Sequence, residues 1–166
     1  RRFRSISNKA AENYRLVEAP IVHVRLAMVT HEDTAVEEPS WESVNQGNVV
    51  FLRGSKRIRK NVEPENRNEV ERVEKALELL SSDRFRSAVV FHSQAQRVFR
   101  DNPVLADSLV LHEKPLESFN LYPYLHKKHA ALIPGLEASL KTLRENGTMA
   151  RIAEKYYLAV PVDGMD

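Results

Sequence analysis

Apolar residues along this chain fall into three kinds of pattern. In residues 21–29, Val22, Val24, Leu26 and Met28 alternate with His23, Arg25 and Ala27. A period of two predicts a strand. Val49, Val50, Phe51 and Leu52 form an uninterrupted run after Gly47-Asn48, and residues 88–91 form another. Runs of that length, bounded by polar residues, predict strands buried on both faces of a parallel sheet. In residues 68–81, Val70, Val73, Leu77 and Leu80 share one face at helical spacing, with Asn68 and Glu71 as a cap and its reciprocal acid.

The punctuation between these runs completes the outline. Residues 31–40 are acidic, close on Pro39-Ser40 and predict a connection. Arg53-Gly54-Ser55 follows the first continuous run at once, and residues 56–60 start a basic helix. In residues 119–125, Phe119, Leu121 and Leu125 alternate with Asn120, Tyr122 and Tyr124. Pro123 makes that segment an edge or crossing strand, with Tyr122 and Tyr124 on one face. Residues 134–146 carry Leu136, Leu140 and Leu143 on a helix that ends at Gly147. Thr148 then caps a last helix, with Met149, Ile152, Ala153 and Tyr156 inward. Strand, helix and strand alternate, so the class is α/β.

Composition narrows the chemistry. The 166 residues suffice for one ordinary domain or two small lobes. Twenty-five Lys and Arg against 23 Asp and Glu leave a net charge of only +2, which gives no electrostatic case for nucleic acid. There is no cysteine, so disulfides and thiolate sites are excluded. No apolar run approaches the ~20 residues that span a bilayer. Nucleophile-elbow, zinc-protease and phosphate-loop motifs are absent, and no catalytic residue is assigned. His126 and His129 flank Lys127-Lys128, and two ammonium groups oppose a bound cation, so no metal site and no cofactor is expected. Asn146-Gly147-Thr148 fits a glycosylation sequon but also fits a helix-ending turn.

The stretch KKHAALIPGLEASLKTLRENGTMARIAEKYY resembles the closing segment of amino-acid-type extracellular solute-binding proteins, in which a crossing strand, a helix, a glycine turn and a short helix ending in Lys-Tyr follow one another. WESVNQGNVVFLRGSKRIRKNV is similar to that family's entry into its second lobe. ALELLSSDRFRSAVVFHSQA is similar to its helix and following strand with a ligand-facing residue, and VHVRLAMVTHED to its first crossing strand. The resemblance implies a type II periplasmic-binding-protein fold with mixed or parallel sheets and two lobes that close on a hinge. Residues 1–44 would form a first-lobe remnant with a crossing strand, 45–117 the second lobe, and 118–166 the return strand and C-terminal helices of the first lobe. Family members are longer ahead of Arg1, so the first lobe is expected to be incomplete, or truncated, and to expose an edge through which the chain self-associates as a homodimer or pairs with another polypeptide.

The implied function is non-catalytic: capture of a small polar or anionic ligand in the periplasm, for an ABC transporter or a sensor. The alternative is a degenerate module acting as a sensor or interaction domain without ligand. Gly54 and Ser55 head the candidate contacts. A strand turning through Gly into a helix presents backbone N–H groups and a hydroxyl to an anion, whereas the same pattern also makes a plain tight turn. Lys56, His92 and Tyr122 complete the set. The family's ammonium-binding Asp is replaced in Phe91-His92-Ser93, which argues against a simple amino acid as ligand. Its carboxylate-binding Arg would fall upstream of, or close to, Arg1, Arg2 and Arg4. The basic residues Arg53, Lys56, Arg57, Arg59 and Lys60 read as a solvated helix face.

Overall fold

The computed structural model describes residues 12–161; Arg1, Arg2 and Arg4 lie outside them. The chain divides into two compact units, Arg25–Ser118 and the pair of segments Arg1–Val24 and Phe119–Asp166. In chain order the elements are β1 (Tyr14–Leu16), β2 (Val22–His31), α1 (Trp41–Val44), β3 (Val49–Leu52), α2 (Lys56–Asn61), β4 (Arg67–Val70), α3 (Val73–Ser81), β5 (Ser87–Phe91) and α4 (His92–Asp101). They continue with α5 (Pro103–Ser108), β6 (Leu109–Leu111), β7 (Glu117–Leu121), β8 (Tyr124–His126), α6 (Ile133–Glu145) and α7 (Thr148–Lys155).

The Arg25–Ser118 unit is built on a sheet of order β4-β3-β5-β2-β6, with β7 also paired to β2. β3 runs parallel to both β4 and β5, and β2 runs antiparallel to β5 and β6. The two continuous apolar runs are the adjacent central strands, in register Val49↔Ser87, Val50↔Ala88 and Phe51↔Val89. Both faces are covered, which is why neither run alternates. Val50, Ala88, Val90 and Val29 pack under Val73, Ala76, Leu77 and Leu80 of α3 and Ala95 and Val98 of α4. Val49, Phe51, Val89 and Met28 are fully buried as well. Ser40 caps α1 through a box with Ser43.

The helix anticipated over 68–81 begins later. Arg67–Val70 is instead a strand paired with β3, and α3 starts at Val73 with no side-chain cap. Asn68 spends its amide on Val49 and Asn66 carbonyls rather than on a helix end. The free edge of β3 satisfies four residues' backbone groups at once, which outweighs one extra helical turn. Val70 was in phase with the helix face by coincidence.

In the other unit β1 and β8 form an antiparallel pair, Tyr14↔His126 to Leu16↔Tyr124. The single strand anticipated over 119–125 is therefore two. Pro123 has no N–H to donate, and its carbonyl takes Val17 N at 3.0 Å where β7 gives way to β8. Tyr122 lies in the link and Tyr124 in β8, so they do not share a strand face. The α6–α7 break falls at Gly147, with φ +75°, as the sequence suggests, and Asn146 Oδ1 accepts from Thr148 N. Gly147 itself, not Thr148, stands at the cap position of α7. α6 has no fully buried residue, and α7 buries only Ala153. Ile152 and Tyr156, read as inward, are 51% and 52% exposed. Within the described part of this unit a two-stranded sheet supplies too little surface to cover the helices' apolar faces.

Two tests follow from this packing. Leu77→Ala should cost about 2–5 kcal/mol in urea unfolding. Leu143→Ala, at a side chain already 37% exposed, should cost well under ~1 kcal/mol. The second concerns His112, buried with its Nε2 3.0 Å from Thr30 Oγ1. Burial pushes the imidazole pKa below 6.5. The unfolded chain then binds the proton first, so stability is held above pH ~6.5 and lost as pH falls toward the folded pKa. His112→Asn should flatten that part of the urea-midpoint profile; an unchanged slope would assign it to other groups.

Candidate functional site

Because β3 and β5 are parallel neighbours, their C-terminal ends finish at one edge of the sheet, where ligands of open α/β folds bind. β3 leaves that edge through Arg53-Gly54 into α2. Gly54 has φ +82°, and a Cβ there would meet nothing within 4 Å. The position therefore wants glycine for its backbone angle and not for space. Ser55 N bonds Leu52 O at 3.2 Å and Lys56 N bonds Gly54 O at 2.8 Å. These two amides close the turn. Ser55 occupies the cap position of α2 without a side-chain cap bond, which leaves its half-buried hydroxyl as the group the turn offers.

β5 passes directly into α4, and His92 is the first residue of that helix. Pairing of Leu26 with Phe91 brings Arg25 beside it. Arg25 Nη2 lies 3.0 Å from His92 Nδ1. A guanidinium can only donate, so Nδ1 accepts and the ring's proton sits on Nε2. That Nε2 is buried without a hydrogen-bond partner. Glu113 Oε1 stands 3.4 Å away, at ion-pair distance but out of hydrogen-bond alignment, and Glu113 Oε2 lies 3.9 Å from Arg25 Nη1. Gln94 Oε1, two residues further along α4, is also buried and unpartnered.

The basic cluster is largely neutralised by its own unit. Arg57 Nη1 contacts Glu117 Oε1 at 2.5 Å, Arg59 contacts Glu69 at 2.7 Å, and Arg53 pairs with Glu71. Gly54, Ser55, Lys56 and His92 all belong to the Arg25–Ser118 unit, while Tyr122 belongs to the other. His126 uses Nδ1 to accept from Lys128 N, a turn contact. Among the described residues no group of three or more His, Cys, Asp or Glu could hold a metal. No described helix is long and apolar enough to cross a membrane.

Sequence reasoning missed Arg25, Glu113 and Gln94. Arg25 was visible as a charge in an alternating strand, but its partners lie 67 residues away and beyond, in contacts that depend on antiparallel register.

No protein-family model matches the sequence, and comparison with curated proteins gives no match. Solved structures match in fold. A mutant of ArgBP from T. maritima superposes with a TM-score of 0.71 at 16% identity, covering 92% of this chain and 65% of that one. A histidine kinase sensor domain with similarity to periplasmic binding proteins gives 0.75 at 21% identity, covering 93% and 68%. The probable amino-acid ABC transporter extracellular-binding protein ytmK from Bacillus subtilis gives 0.69 at 14%, covering 90% and 66%. The chain spans about two thirds of the length of these structures. Its fold is α/β and periplasmic-binding-protein-like.

Gly54→Ala should destabilise by about 1–2 kcal/mol in urea unfolding, the cost of a left-handed non-glycine residue. With open space around the Cβ, Gly54→Asn should cost less. Equal losses would point to crowding instead.

Proposed function

We propose that this chain is the ligand-capturing part of a non-catalytic solute-binding protein that takes a small polar or anionic molecule. The observation that carries the reading is the shared edge of β3 and β5, where the uncapped Ser55 hydroxyl and the buried, unpartnered His92 Nε2 follow the ends of neighbouring strands. Both groups can donate to an oxygen: Ser55 makes no cap bond, and His92 Nε2 has no hydrogen-bond partner. Gly54 shapes the turn, and Lys56 adds positive charge. Similarity to ABC extracellular-binding and kinase-sensor structures supports delivery to a transporter or a sensor, and a periplasmic location. Pairing of Arg53, Arg57 and Arg59 with Glu residues argues against a phosphate track for nucleic acid.

A second reading is a ligand-free sensor or interaction module. It is favoured by Glu113, a carboxylate of the chain itself that faces His92 where a ligand group would lie.

Native mass spectrometry against the denatured mass tests the two. Retained small-molecule mass, lost on Ser55→Ala with circular dichroism unchanged, supports capture. A charge-assisted hydrogen bond from Ser55 predicts roughly 10-fold weaker binding or more in that variant. His92→Ala should act in the same direction. Bare chains, with no thermal shift from a panel of amino acids and organic acids, would establish the ligand-free module.

A further inference from the structure

We propose that Arg25 and His92 form a carboxylate-binding subsite, in which the chain's own Glu113 stands in for the carboxylate of a ligand. Arg25 fixes the position of the imidazole proton. Arg25 Nη2, at 3.0 Å, holds His92 Nδ1 as an acceptor, so Nε2 is a donor in the neutral ring. The His92 side chain is only 4% exposed, and its Nε2 has no hydrogen-bond partner. Buried donors in folded proteins are nearly always satisfied, so this one calls for an acceptor.

The group that faces it identifies the class of acceptor. The Glu113 carboxylate bridges the pair, with Oε1 3.4 Å from His92 Nε2 and Oε2 3.9 Å from Arg25 Nη1. Both contacts are longer than the 2.7–2.9 Å typical of a charge-assisted bond. Glu113 reaches the site from the connection between β6 and β7, and its side chain is 78% exposed. The carboxylate is therefore tethered too far out to align, and little burial holds it in place. A carboxylate that arrives without a backbone tether can settle closer on both donors, displacing Glu113 into water. The subsite is built from Arg25 and His92 without the Ser55 hydroxyl, and needs no residue of the other unit. Its physiological occupant rests on reading this unit as a ligand-binding lobe, but the existence of the subsite does not.

The test follows the His92 ring by NMR in the isotope-labelled full chain during titration with sodium succinate, against sodium chloride at matched ionic strength. Wild type, Glu113→Gln and Arg25→Gln are compared. The His92 signals should move with succinate and not with chloride. Half-saturation should come at about 3-fold lower succinate in Glu113→Gln, since an exposed competing charge is removed. Arg25→Gln should abolish the response. A silent His92 in Glu113→Gln, or equal half-saturation in that variant and wild type, would overturn the subsite. Because position 113 is exposed, its substitution leaves the core intact. A succinate response that survives in Ser55→Ala would separate this subsite from the capture reading above.

Discussion

The structure depends first on the parallel pairing of β3 with β5. Val49, Val50, Phe51, Ala88, Val89 and Val90 are each no more than 1% exposed. Burying a larger aliphatic or aromatic side chain contributes about 1.5–3 kcal/mol, and these strands bury both of their faces. That double burial requires helices on each side and forces every strand-to-helix turn to the rim of the sheet. The positions of Ser55 and His92 are consequences of this. Neither residue is placed by its own interactions; each is simply the point where a buried strand stops and its chain must turn.

The same constraint explains why one histidine differs from two others. His23, His92 and His112 are all buried. His23 meets Asn120 Oδ1 at 3.1 Å, and His112 meets Thr30 Oγ1 at 3.0 Å, both neutral partners between paired or adjacent strands. His92 sits past the end of β5, where the sheet no longer surrounds it. It meets a guanidinium on one nitrogen, and no aligned acceptor on the other. His23 lies within β2, and His112, one residue past β6, is still tied to β2 by its N–H to Met28 O at 3.1 Å, whereas His92 heads a helix and keeps one ring nitrogen without a hydrogen-bond partner.

Legibility in the sequence followed burial. The runs at Val49–Leu52 and within Ser87–Phe91 were readable because two-sided burial removes polar residues altogether. The strand over Val22–His31 was readable by alternation. Residues 68–70 were misread because Val70 fits the phase of α3, and nothing local announces the free edge of β3 that captures them. Pro123 signalled an interruption, but which strand would take the chain beyond it depended on β1, more than a hundred residues earlier. At the candidate site, Gly54 and Ser55 stood out through turn chemistry and family resemblance. Arg25 and Glu113 did not, since their meeting with His92 is set by the β2–β5 register and by a loop.

The two units differ in how far their own patterns are satisfied, and that difference decides where a functional argument can stand. In α3 the apolar positions Val73, Ala76, Leu77 and Leu80 all find partners within the unit. In α6 and α7 an equally regular pattern leaves Leu143, Ile152 and Tyr156 in solvent. Periodicity reports that a face suits burial, and says nothing of what buries it. A site assembled from α6 or α7 would thus depend on surfaces the described residues do not supply. The Arg25–His92 pair has no such dependence: β2 and the β5–α4 junction, both in one unit, bring the two side chains to 3.0 Å, and only the exposed Glu113 reaches them from a loop. The geometry of the pair is set by the same β2–β5 register that builds the sheet.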